Sequence, residues 1–178
     1  MMAERSQCRL CGQEFEDSHS ECPGCGVDTE LLKRKVPIPS PRGAVNDFAG
    51  IMNEAQAGEL SSMLGSFFRQ TDVPIVIATV QTAEPLTPPE YAFLLYNEWG
   101  IGKAGVNKGL LILLCLKEKH LESEVGLGLE SILPEEIADE IVQDEFLPHF
   151  KDGGFFEGLK AGTKAIMDEL LRRLPTLS

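Results

Sequence analysis

Gly109-Leu110-Leu111-Ile112-Leu113-Leu114-Cys115-Leu116, then Lys117-Glu118-Lys119, then His120-Leu121-Glu122-Ser123-Glu124-Val125, is the passage around which the rest of the chain can be arranged. A run without a single polar side chain has no wet face. It therefore suits neither a surface helix nor a strand exposed on one side, and fits a strand covered on both faces of a sheet. The three-residue turn after it permits only a hairpin, which sets 120–125 antiparallel to 109–116. The polar content of 120–125 places that strand nearer an edge. Upstream, Val73-Pro74-Ile75-Val76-Ile77-Ala78-Thr79-Val80 is a second apolar, β-branched run with its proline confined to the start, as a buried strand requires. Pro88 to Trp99 between the two runs reads as a helix, so the runs are parallel and joined by a βαβ crossover. Farther out, Leu60, Met63, Leu64, Phe67 and Phe68 recur at helical spacing within Asn53 to Arg69. Pro134 opens a helix carrying Ile137, Ile141, Val142, Phe146 and Leu147 to about Phe150, Gly153-Gly154 breaks it, and Phe155 to Leu174 forms the last. The order predicts an α/β fold, a three-layer α/β/α sandwich on a mixed sheet over 45–174.

The 178 residues allow one medium domain with a small appendage. Lysine and arginine number 16 against 28 acids, a net charge of −12, and such a field repels phosphate backbones and anionic membrane surfaces. Nucleic acid is thus not an expected partner. The chain opens without an apolar leader, and Leu110–Leu116 is too short to span a bilayer. A cytoplasmic protein with no membrane insertion is expected.

Residues 1–35 hold few large apolar groups but four of the five cysteines, Cys8, Cys11, Cys22 and Cys25, in two pairs of identical spacing. A glycine follows each pair and relaxes a turn through which backbone amides can reach thiolates. In a reducing compartment this pattern predicts a zinc ribbon, with four thiolates closing a tetrahedron around a structural ion. Disulfides and idle thiols are the alternative readings. Residues 36–44 carry three prolines at alternate positions, which favours an extended spacer between ribbon and sandwich.

Val45-Asn46-Asp47-Phe48-Ala49-Gly50, Asn97-Glu98-Trp99-Gly100-Ile101-Gly102, Asn107-Lys108-Gly109-Leu110-Leu111-Ile112, and Glu124-Val125-Gly126-Leu127-Gly128-Leu129-Glu130 before Leu133-Pro134 together closely resemble the TPM domain. The likeness spans roughly residues 44–172. It implies an α/β/α domain related to a thylakoid-lumen protein, with acid phosphatase activity and calcium binding reported for some members. Where the family usually reads Asp-Asn-Gly, this chain has Asn107-Lys108-Gly109, exchanging a carboxylate for an amide and adding a cation, which weakens a hard-cation site. Where an arginine commonly precedes the Glu-x-Gly-x-Gly segment, Glu122 stands.

If 73–80 and 109–116 are parallel, the Trp99–Lys108 loop and the end of the third strand share one sheet edge. Glu98, Asn107, Glu124 and Glu130 could then converge, and Asp47, on an extended lead-in, could reach either edge. Asp47, Asn107, Glu124 and Glu130 are the candidate calcium or ligand site, all hard oxygen donors, with Asn97, Trp99, Gly100, Gly126 and Gly128 supporting the loop. Residues 118–145 hold ten acids and one lysine, a pattern that more often marks a solvated face. Gly126 and Gly128 read more simply as turn glycines, Trp99 as core, and Cys115 as buried and inert. No nucleophile elbow or paired histidines occur, so no catalytic residue can be assigned. Two functions follow: a zinc-binding module with calcium as a second cation and a protein partner, or a metal-dependent phosphomonoester hydrolase.

Overall fold

The computed structural model describes residues 5–7, 13–16, 22–24, 26, 28–102 and 106–175. In chain order the elements are β1 (Arg5–Gln7), β2 (Glu14–Glu16), α1 (Thr29–Lys35), β3 (Val45–Asp47), α2 (Glu54–Thr71), β4 (Ile75–Val80), α3 (Pro88–Glu98), β5 (Leu110–Cys115), β6 (His120–Val125), α4 (Glu135–Ile141), α5 (Leu147–Phe150) and α6 (Phe155–Arg173). A 3₁₀ turn at Leu127–Leu129 follows β6, and a π turn at Val142–Phe146 joins α4 to α5.

The main sheet has the order β3-β4-β5-β6. Ile75 pairs with Leu110 and Val80 with Cys115 in parallel register, while Leu110 pairs with Val125 and Cys115 with His120 in antiparallel register. The expected mixed sheet, with both apolar runs central and the hairpin strand on an edge, is what forms. Period-two alternation divides β5 between two cores. Leu110, Ile112 and Leu114 meet α2 and α6 through Leu60, Leu64, Phe67, Leu159, Ile166 and Leu170. Leu111, Leu113 and Cys115 meet α3 through Tyr91, Ala92, Leu94, Leu95 and Tyr96. Truncating any one of these leucines or isoleucines to alanine removes about 2–5 kcal/mol.

One strand was legible only as an extended lead-in. β3 pairs in parallel with β4, Val45 with Ile77 and Asp47 with Thr79, so the fold holds a second βαβ unit beyond the single one expected. The steps β3 to β4 and β4 to β5 run in the same direction across the sheet, yet α2 covers one face and α3 the other. The two crossovers therefore have opposite hands, and one of them is the rare left-handed kind.

Local chemistry sets the helix ends. Asn53 and Gln56 form a reciprocal capping box on α2, and Thr87 and Glu90 form another on α3, whose first turn carries proline. The helix expected from Pro134 to Phe150 forms, with a π turn inside it. Pro134 caps α4 rather than entering its first turn, and Pro148 has no N–H to donate four residues back, so the ladder shifts into the π turn.

At the N-terminus β1 and β2 pair antiparallel, Arg5 with Glu16 and Gln7 with Glu14. Cys22 is buried; Cys8, Cys11 and Cys25 lie outside the described residues. Residues 36–44 form no regular element. Leu32 of α1 is buried in the α3-side core, and Val36 and Ile38 pack against it. Among the described residues no helix is long and apolar enough to cross a membrane.

Candidate functional site

Helix α3 delivers its last turn to the N-terminal edge of β5. Gly100, at φ +62°, turns the chain away as its N–H donates to Asn97 O at 3.1 Å and that of Ile101 donates to Tyr96 O at 3.1 Å. The Tyr96 side chain is buried, and its Oη donates to Asn107 Oδ1 at 3.0 Å. Asn107 itself is held left-handed at φ +47°, a conformation that asparagine tolerates better than most residues.

Four glycines crowd this turn, two of them, Gly102 and Gly126, against the hydroxyl itself. A Cβ on Gly102 would lie 2.5 Å from Tyr96 Oη, one on Gly109 2.8 Å from Gly102 N, one on Gly126 2.0 Å from Asn107 O, and one on Gly128 2.3 Å from Val106 O. Gly126 has φ −61°. Gly126 heads the 3₁₀ turn, and backbone pressing on backbone, rather than a positive φ, excludes a side chain there. Gly126 N–H donates to Gly109 O at 2.8 Å and Gly128 N–H to Asn107 O at 3.0 Å, tying the end of β6 to the start of β5.

The candidate ligand residues are divided between two edges. Asn107 and Glu130 lie at this N-terminal edge, with Glu130 exposed just beyond the 3₁₀ turn; Glu124, buried, pairs with Leu111 inside β6. Asp47 lies at the other end. It pairs with Thr79, which pairs with Leu114, about 13 Å along β5 from Leu110 at the usual rise per residue. Its carboxylate accepts from Thr79 Oγ1, from Ile51 N–H at 3.2 Å and from Met52 N–H at 2.8 Å, which fastens the 48–52 loop. The structure does not bring Asp47 to the other three.

Glu98 is drawn away as well, in an ion pair with Lys33 Nζ at 2.6 Å. Asn97 Nδ2 donates to Phe93 O at 2.7 Å, a helix-terminal bond. Trp99 packs against the α3-side core as expected; its Nε1 donates to Pro39 O at 2.9 Å and its ring lies 6.2 Å from that of Phe48. Among the described residues no three His, Cys, Asp or Glu side chains are grouped to hold a metal ion. Sequence reasoning overlooked Tyr96. The available signal was a phenol on a helix face buried from Tyr91 to Tyr96, where a hydroxyl must find a partner.

The TPM domain model matches residues 45–169. The chain belongs to the TPM-domain family. No curated protein matches it, but solved structures do. The N-terminal domain of a P. gingivalis protein is 29% identical, with a TM-score of 0.64 over 71% of this chain and 81% of that one. The BA42 protein of Bizionia argentinensis shares the fold at 14% identity, with a TM-score of 0.62 over 70% of this chain and 84% of its own. The N-terminal domain of a Corynebacterium glutamicum protein does so at 10%, with a TM-score of 0.58 over 79% and 90%.

In this TPM domain the distorted ionisations gather at the opposite sheet edge from the glycine cluster. Burial pushes the Cys115 thiol up to about 12, helped by the negative charges of Glu118 and Glu122. Glu118 resists burial because Thr82 Oγ1, at 2.6 Å, and the N–H groups of Ala83, Glu118 and Glu84 donate to it, holding its carboxyl below the usual range. Thiolate is the reactive form, and Cys115 is both wholly buried and held as the thiol. Native Cys115 is expected to resist iodoacetamide and to react fully in denaturant. Peptide mass spectrometry after a timed pulse checks this, and rapid native labelling would contradict the burial.

Proposed function

We propose that this TPM-domain chain is a cytoplasmic, non-catalytic interaction module: its cysteine segment holds one structural zinc ion, and its sandwich presents a surface to a protein partner. The observation that carries the non-catalytic half is the use to which the fold puts its candidate ligands. Asp47 is committed to Thr79 and to two backbone N–H groups at one edge, while Asn107 Oδ1 accepts from Tyr96 at the other. These side chains hold the scaffold together. A metal-assisted hydrolase needs carboxylates gathered on one ion with an open coordination position. If calcium is a second cation of this chain, Glu124, Glu130 and the Asn107 amide are the oxygen donors suited to it at the N-terminal edge.

For zinc the support is the donor chemistry. Cys22 is buried, and the Gly24 N–H points at its Sγ at 3.3 Å, as backbone amides do at metal-bound thiolates; the β1–β2 pair brackets the stretch that carries Cys8 and Cys11. Such a site supplies folding free energy to a stretch poor in large apolar groups, of which Leu32 is seated in the domain core.

Purified full-length protein is expected to carry one zinc per chain by elemental analysis and to hydrolyse no phosphomonoester above background at acid or neutral pH, with or without calcium. A protein free of zinc, or one with its cysteines in disulfides, refutes the ribbon. Turnover that disappears in Glu124→Gln replaces this reading with the phosphatase.

A further inference from the structure

We infer that helix α1 couples the cysteine segment to the end of α3, so that zinc loading at Cys8, Cys11, Cys22 and Cys25 is felt at Trp99 and at the turn it opens. The inference rests on the zinc reading and adds a transmission route to it.

Helix α1 starts at Thr29, four positions beyond Cys25. Three residues later Leu32 is only 3% exposed, in one cluster with Tyr91, Leu95, Tyr96 and Ile101. Lys33 pairs with Glu98 at 2.6 Å. Val36 and Ile38 continue along the same core, and Pro39 O accepts from Trp99 Nε1 at 2.9 Å. The strip from 32 to 39 thus lies against the part of α3 that supplies Tyr96 to the glycine cluster and Trp99 to the cap.

A helix of seven residues does not persist in water unaided. Leu32, at its middle, seats it on the α3-side core, and on the zinc reading Cys25, four positions before Thr29, fixes the chain ahead of its start. Each condition favours the other, and linkage makes the effect reciprocal: what zinc does to the seating of Leu32, the seating of Leu32 does to zinc affinity. Leu32 carries the coupling, because its side chain is buried in the domain core. Lys33 contributes little, since its ion pair with Glu98 is part-exposed.

The chain has a single tryptophan, so its emission reports on Trp99 alone. Full-length zinc-loaded protein is treated with a chelator while a chromogenic zinc indicator follows release. The expected result is a red shift and intensity change of Trp99 in step with zinc release, while far-ultraviolet circular dichroism shows the sandwich still folded. Leu32→Ala is expected to weaken zinc affinity about tenfold, within the range of typical coupling, and Lys33→Ala to change it by less than about twofold. The wild-type titration stands on its own should Leu32→Ala fold poorly. Unchanged Trp99 emission after zinc has left, or wild-type affinity in a folded Leu32→Ala protein, overturns the coupling and leaves the ribbon intact. A protein without zinc overturns both.

Discussion

Gly126→Ala is expected to cost this TPM domain a large part of its stability, at or above the upper end of the ~1–3 kcal/mol typical of overpacking. The added Cβ would lie 2.0 Å from Asn107 O and 2.4 Å from Tyr96 Oη. The hydroxyl can swing, but the carbonyl cannot. Asn107 O accepts from Gly128 N–H at 3.0 Å, and Asn107 sits at φ +47° between the loop and β5. Moving it breaks the tie between β5 and β6 and orphans buried groups at about 1–3 kcal/mol each. Against a total stability of about 5–15 kcal/mol this is severe. Gly100→Ala separates crowding from backbone strain. Gly100 has φ +62° with nothing within 4 Å of its added Cβ, so only the left-handed penalty of about 1–2 kcal/mol applies. Urea denaturation midpoints should therefore fall much further for Gly126→Ala than for Gly100→Ala. Equal losses would show that backbone contact does not set the glycine requirement.

That contrast also marks what the sequence could and could not disclose. The β5 run names its own environment, because only a strand covered on both faces can be apolar from Leu110 to Leu116. The parallel partner, the hairpin and the outer helices then follow from connection lengths and periodicity. β3 escaped because three residues are too few to show alternation, and what makes them a strand is pairing with β4. α1 escaped for a similar reason: its place depends on Leu32 meeting a core built sixty residues later. The candidate site was legible as a set of residues but not as a geometry. Glycines, Asn107 and Glu124 belong together at one edge, as their shared loop and hairpin implied. Asp47 does not join them, because β3 pairs with β4 in parallel and so ends at the far edge with Thr79. The glycine spacing signalled need without its cause, since close approach of two backbones leaves no trace in a single segment.

A second large effect is expected where α6 meets the π turn, and here helix propensity and packing oppose each other. Exchanging glycine for alanine inside a helix is ordinarily worth about 1 kcal/mol of added stability. Gly58, exposed in α2 with nothing within 4 Å of an added Cβ, should show that gain. Gly162 should show the reverse. Its Cβ would lie 2.1, 2.2 and 2.4 Å from the Cδ2, Cε2 and Cγ atoms of the Phe146 ring, and Phe146 is wholly buried. Its neighbour in the same groove is no freer, since a Cβ on Gly158 would meet Phe150 at 2.5 Å and Phe146 O at 3.0 Å. The ring has no space to withdraw into, so relief requires displacing α6 from the π turn. Gly162→Ala should therefore lose about 1–2 kcal/mol after the propensity gain is subtracted from an overpacking cost at the upper end of its usual range, and Gly58→Ala should gain ~0.5–1 kcal/mol in the same assay. Shrinking the ring tests the cause. Phe146→Leu alone opens a cavity and destabilises, but combined with Gly162→Ala it should restore part of the loss, giving a favourable interaction energy in the double-mutant cycle. Additive losses in that cycle would mean that Gly162 is required for a reason other than the Phe146 ring.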